Sequence, residues 1–115
     1  MNIDHIKDNL AKIDNLANHI GIELVSTPDP NSCVAKMKVD NRNRQPFGYL
    51  SGGATLAMAE TLAGAGSYCI CPEALACVGP HAHGNHIHTA KAGETVTATA
   101  RVIHKSKSSH IWQVD

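Results

Sequence analysis

The chain reads as an α+β fold, an antiparallel sheet packed against one long apolar helix. Three observations carry that reading. Apolar residues recur at helical spacing near the N-terminus, and an apolar, small-residue run fills residues 53–69. Runs around residues 33–39 and 95–102 alternate apolar with more polar side chains, as half-buried strands do. The later strands follow one another on short connections, which favours antiparallel pairing with the helix on one face.

Taken in order, Ile3, Ile6, Leu10, Ile13, Leu16 and Ile20 form the apolar stripe of one amphipathic helix, which Gly21 closes as a C-cap. Residues 22–26 read as a short strand, and Thr27-Pro28-Asp29-Pro30-Asn31 as a turn. Cys33, Ala35, Met37 and Val39 then alternate along a second strand, and residues 40–47 form a polar loop. The central helix is apolar nearly all round, so it is expected to be buried. A strand opens at residues 75–79 and runs on through a histidine-rich segment. Val96, Ala98, Ala100 and Val102 mark the next strand, and a last one begins at His110, where the chain stops inside it.

At 115 residues the chain reads as a single domain, 1–115. Ten basic residues balance ten acidic ones, so its overall charge does not point to nucleic acid or an acidic membrane. No apolar run approaches the roughly 20 residues of a membrane span. Charges at Asp4, Lys7, Asp8 and Lys12 argue against a signal peptide. Cys33, Cys69, Cys71 and Cys77 form no Cys-x-x-Cys pair and read as mostly buried free thiols in a reducing cytoplasm.

The segment with chemistry in it is Gln45-Pro46-Phe47-Gly48-Tyr49-Leu50-Ser51-Gly52-Gly53, followed by Glu60. Glu60 is the one charge in the run from Ala54 to Ala65. A carboxylate in apolar surroundings is costly unless it is paired, neutralised or used. The glycines precede a helix N-terminus, whose N–H groups can serve an oxygen that carries negative charge, and a glycine turn lets a ligand approach the backbone. Partial desolvation would make Glu60 a better base or nucleophile.

These residues resemble the hotdog-fold acyl-CoA thioesterases, in particular the subgroup acting on aryl and other small acyl-CoA esters. The resemblance runs over nearly the whole chain and includes Asn85-His86, Ala90-Lys91-Ala92-Gly93 and Trp112-Gln113-Val114. It implies an antiparallel sheet wrapped around the central helix. It also implies hydrolysis of an acyl-CoA thioester to free acid and CoA, with no cofactor beyond the CoA of the substrate. By resemblance Glu60 is the nucleophile or general base, Gln45 places the thioester or the water, and the Gly52 N–H polarises the carbonyl, with Gly53 beside it. Asn85, His86, His88 and the turn bearing Lys105, Ser106 and Lys107 would lie near the pantetheine arm and phosphates of CoA. Phe47, Tyr49 and Met58 are candidate walls of the acyl pocket.

The chain departs from that pattern in three places. Ser51 stands where relatives often carry histidine, which removes any imidazole base. Gly64 stands where some relatives carry a hydroxyl one turn after the glutamate, leaving that role vacant or passed to Thr61 or Ser67. Relatives have one more strand after the point where this chain ends, so the fold is expected to be C-terminally short, with an open sheet edge.

Spacing adds an expectation about assembly. Gly53 and Glu60 are seven residues apart, roughly 10 Å along a helix. One carbonyl would struggle to reach both ends within hydrogen-bonding range. A second, antiparallel copy of the helix would bring the donor end of one chain to the glutamate of the other, so the active site is expected at the interface of a dimer or dimer of dimers. The resemblance implies the same.

Other readings stand beside these. Glu60 could cap a loop or pair with an arginine. His81, His83, His86 and His88 invite a metal, but no cysteine or carboxylate stands at ligand spacing among them, so a polar strand beside a CoA groove is preferred. Ser51-Gly52-Gly53 lacks the Gly-x-Ser-x-Gly elbow of a serine nucleophile. The rivals to hydrolysis are a non-catalytic acyl-CoA-binding protein and an acyl-thioester hydratase or dehydratase. Ser51 weakens the second, which wants a histidine–carboxylate pair.

Overall fold

The computed structural model describes residues 1–71, 82–84 and 88–115. Helices α1 (Asp4–Ala11) and α2 (Leu16–Ile20) lead into strands β1 (Ile22–Val25) and β2 (Ser32–Lys38). The long helix α3 (Gly52–Ile70) follows, then β3 (Thr95–Lys105) and β4 (His110–Val114). The strands form one sheet in the order β1-β2-β3-β4, every pair antiparallel. The expected strand at residues 75–79 falls outside the described residues, as does Cys77.

The single N-terminal helix expected from the apolar stripe is two helices. Asn15 breaks it: its side-chain oxygen accepts from the Asn18 N–H as the N-cap of α2, while its amide donates to the Leu10 and Ile13 carbonyls at 3.0 and 2.7 Å. Asparagine competes for the backbone in this way and favours caps over helix interiors. Gly21 does close α2 in the left-handed region, at φ +87°. A side chain there would also strike the Arg42 guanidinium, 2.6 Å from an added Cβ.

The sheet seats α3 closely because its inward residues are small. Cys33, Ala35 and Met37 of β2 face the helix beside Ala98 and Ala100 of β3, in a register that pairs Cys33 with Ala100 and Ala35 with Ala98. Ala54, Met58, Leu62 and Ala65 fill the helix side of this core, and Leu62 is fully buried. Burial drives the Cys33 thiol up to about 11, so it stays a neutral packing group.

At the far end of α3, β4 locks on through Trp112. Its indole lies where any side chain at Gly66 would go, 2.4 Å from an added Cβ. Its Nε1–H donates to Ser67 Oγ at 2.8 Å, and His110 Nδ1 meets the same oxygen at 2.8 Å. The indole can only donate, so Ser67 Oγ is the acceptor in that bond.

The loop that delivers the N-terminus of α3 is held by a buried asparagine. Asn43 Nδ2 donates to the Ile20 and Lys38 carbonyls at 2.8 and 2.9 Å, and its Oδ1 accepts from the Asp40 N–H at 3.1 Å. Its carbonyl accepts from the Ser51 N–H at 2.9 Å, so the end of β2, the end of α2 and the start of α3 share one anchor. Beside it Arg42 grips Asp40 with paired hydrogen bonds, which hold that carboxyl down to about 2.

Gly66→Val lowers stability by about 1–3 kcal/mol through overpacking against Trp112, while Gly64→Ala, with nothing described within 4 Å, does not. Thermal melts of the two variants check this. Asn43→Ala leaves two carbonyls and an N–H without their partner and costs about 1–3 kcal/mol in urea unfolding.

Candidate active site

The central helix is not buried all round. Ala54, Met58, Leu62, Ala65, Gly66 and Ser67 are buried, but Gly53, Thr55, Glu60 and Tyr68 are exposed. Glu60 therefore points away from the sheet and is exposed. The apolar run misled because half of it is alanine and glycine, which cover little surface on either face. Glu60 makes no ion pair among the described residues; the arginine pairs are Asp40–Arg42 and Asp29–Arg101. The alternative of a structural carboxylate tied to an arginine finds no support in this geometry.

Gln45 has a turn-forming job. Its N–H donates to the Tyr49 carbonyl at 2.7 Å, and its side-chain Oε1 accepts from the Phe47 N–H and, at 3.4 Å, from the Tyr49 N–H. The side-chain oxygen is thus engaged within the loop, and the amide nitrogen is the end that remains for a ligand. Gly48, at φ +92°, supplies the left-handed residue that this turn requires. Ser51 is the N-cap residue of α3, yet its hydroxyl makes no capping hydrogen bond; its carbonyl accepts from the Thr55 N–H at 3.1 Å.

Several expected site residues lie elsewhere. Met58 is a core residue, 3% exposed and packed towards the sheet, so it walls no pocket on the Glu60 side. Phe47 is 85% exposed at the loop tip and borders neither hollow described below. Ser67 does not replace the hydroxyl missing at Gly64, because it is buried and committed to Trp112 and His110. Lys105, Ser106 and Lys107 are exposed, and Ser106 closes the hairpin turn through hydrogen bonds with Ser109. That hairpin adjoins the Ser67 end of α3, about 20 Å along the helix from Gly52. The structure does not bring the two together in one chain. His88 is exposed; Asn85, His86 and His81 lie outside the described residues. Among the described residues no three potential metal ligands converge. Cys69 and Cys71 are half-buried rather than fully buried.

Two hollows flank α3 instead. One, of about 280 Å³, lies at its N-terminal half between Leu16, Ile20, Arg42, Arg44, Ser51 and Ala57. The other, of about 310 Å³, lies at its C-terminal half, between Ile6, Leu10 and Ile13 on one side and Thr61, Gly64 and Tyr68 on the other. At about 100° per residue, Gly53, Ala57, Thr61, Gly64 and Tyr68 fall on one flank of the helix, and Glu60 stands at the edge of that flank, between the two hollows. Of the expected residues, Ser51 and Gly53 border the first hollow and Thr61 the second. Asn43 and the Arg42–Asp40 pair were missed in the sequence. The Asp40-Asn41-Arg42-Asn43 run was a cue, because aspartate and asparagine make local side-chain turns.

The comparisons with known proteins agree with this architecture. Residues 47–115 match the thioesterase superfamily model. A Pseudomonas aeruginosa protein named as an esterase is 36% identical over 92% of this chain and 72% of its own length. The 1,4-dihydroxy-2-naphthoyl-CoA hydrolase of Listeria monocytogenes is 38% identical over 83% of this chain and 76% of its own. A crystal structure of a Haemophilus influenzae thioesterase superposes with a TM-score of 0.89 at 30% identity, covering all of this chain and 78% of that one. With its antiparallel sheet packed on one central helix and these relatives, the chain belongs to the thioesterase superfamily and has the hotdog fold.

Proposed function

We propose that this protein hydrolyses an acyl-CoA thioester with an aromatic or small to medium acyl group. The observation that carries the proposal is Glu60: an exposed carboxylate without an ion pair among the described residues, set on a small-residue flank of α3 between two hollows. The similarity to a naphthoyl-CoA hydrolase supports a CoA ester as the substrate class.

In this reading the thioester carbonyl is polarised by N–H groups in the first turn of α3, that of Gly52 foremost, which can supply a few kcal/mol of oxyanion stabilisation. Glu60 either attacks the carbonyl carbon, expelling CoA thiolate and leaving an acyl anhydride for water to open, or takes a proton from the water that attacks. The Gln45 amide nitrogen holds the ester or that water. Gly52 and Glu60 are eight residues apart on one helix, about 12 Å, and Glu60 faces outward. The carbonyl is therefore shared between two copies of the chain, and the second copy supplies the desolvation that the single chain does not. The reaction needs no metal or cofactor. The free thiols of Cys33 and Cys69 suit a reducing cytoplasm. No helix among the described residues is long and apolar enough to cross a membrane.

Glu60→Gln is expected to lower kcat by about 10²–10⁴ while the Kd for a CoA ester changes little, read by steady-state thiol release and calorimetry. If wild type binds CoA esters and turns none over across aryl, short and long acyl groups, the protein is an acyl-CoA-binding member of the superfamily and the hydrolytic reading is wrong.

A further inference from the structure

Among the described residues of one chain, nothing in the packing requires glycine at position 64. It sits inside α3, where glycine is destabilising relative to alanine. Its neighbour Gly66 is different, since the Trp112 indole occupies the space a side chain would need. At Gly64 an added Cβ meets nothing within 4 Å among the described residues, and Gly64 is not among the glycines at positive φ. What the missing side chain leaves open is the space beside Glu60. One helical turn after that carboxylate, within about 40° of it around the helix axis, Gly64 lines the hollow between α1 and α3.

Resting on the thioesterase reading above, we propose that this α1–α3 hollow is the acyl pocket, and that Gly64 is the residue that admits the acyl group to it. A thioester whose carbonyl lies at Glu60 passes its acyl group over Gly64 and between Ile6, Leu10 and Ile13 of the N-terminal segment and Tyr68 of α3. The walls are mostly apolar, with Asn9 and Thr61 as polar points. At about 310 Å³ the hollow has room for a substituted aromatic ring or a chain of several carbons, since about 150 Å³ already accepts benzene. A long fatty acyl chain would run out of it into solvent. Ile13 is 62% exposed and Tyr68 51% exposed, so both form a rim that can take substitutions without disturbing the core. The pocket walls are thus not Phe47 and Met58, but residues of α1, the segment that follows it, and the second half of α3.

The test narrows the hollow from both walls of the full-length protein. Wild type, Gly64→Leu and Ile13→Trp are assayed against acetyl-, hexanoyl-, benzoyl-, phenylacetyl- and palmitoyl-CoA, with circular dichroism melts to confirm folding. Wild type is expected to favour the hexanoyl and aromatic esters over both acetyl and palmitoyl. Each variant is expected to lower the ratio of hexanoyl or aromatic to acetyl kcat/KM at least tenfold. Folded variants that keep the wild-type ranking, or that lose all substrates in equal measure, would overturn the pocket assignment while the thioesterase reading stands. A wild type that hydrolyses none of the five would overturn both.

Discussion

Close seating of α3 on the sheet is the constraint on which the rest depends. Cys33, Ala35, Ala98 and Ala100 keep the inward face of the sheet shallow, and Leu62 and Met58 fill the remaining depth. With the helix held there, its rotation is set. Leu62 faces in, so Glu60, about 160° away around the axis, faces out. The same seating brings Gly66 against Trp112 and leaves the flank through Gly53, Ala57 and Gly64 bordered by the N-terminal helices and, at its start, by the Arg42–Ser51 loop. Substituting Leu62 by alanine would loosen all of this at about 2–5 kcal/mol.

The chemistry inherits its geometry from that rotation. The backbone donors lie at the start of the helix, held by Asn43 through the Ser51 N–H. The carboxylate lies two turns later, on the exposed side. A helix is rigid over this span, so neither end can move to the other. In our account the single chain therefore carries two half-sites, and a second chain running the other way completes each. The exposure of Glu60 in one chain, which conflicts with the burial expected from its apolar neighbours, is what such a shared site requires.

Much of this was legible in the sequence because it is periodic. Cys33, Ala35, Met37 and Val39 alternate inward, and all four are buried; Gly21 is the left-handed cap it reads as. The family was legible from the Gln45-to-Glu60 pattern. Orientation was harder to read. Alanine and glycine occur on both faces of α3, so composition could not say which side met the sheet, and Met58 was misplaced for that reason. The break at Asn15 was hidden because the apolar stripe runs across it unchanged. The hollow beneath Gly64 depends on α1 lying opposite the second half of α3, a long-range arrangement that no local pattern encodes.

The central claim, a carbonyl held between two chains, is tested most directly by hybrids. Glu60→Ala removes the carboxylate, and Gly52→Pro removes the donor N–H at a helix position that tolerates proline. Each variant alone should be nearly inactive. Refolded together, a heterodimer of the two holds one site with both lesions and one with neither, so thioesterase activity should return in verified hybrids. Verified heterodimers that stay as inactive as their parents would contradict the account, because the donor and the carboxylate would then have to act within one chain.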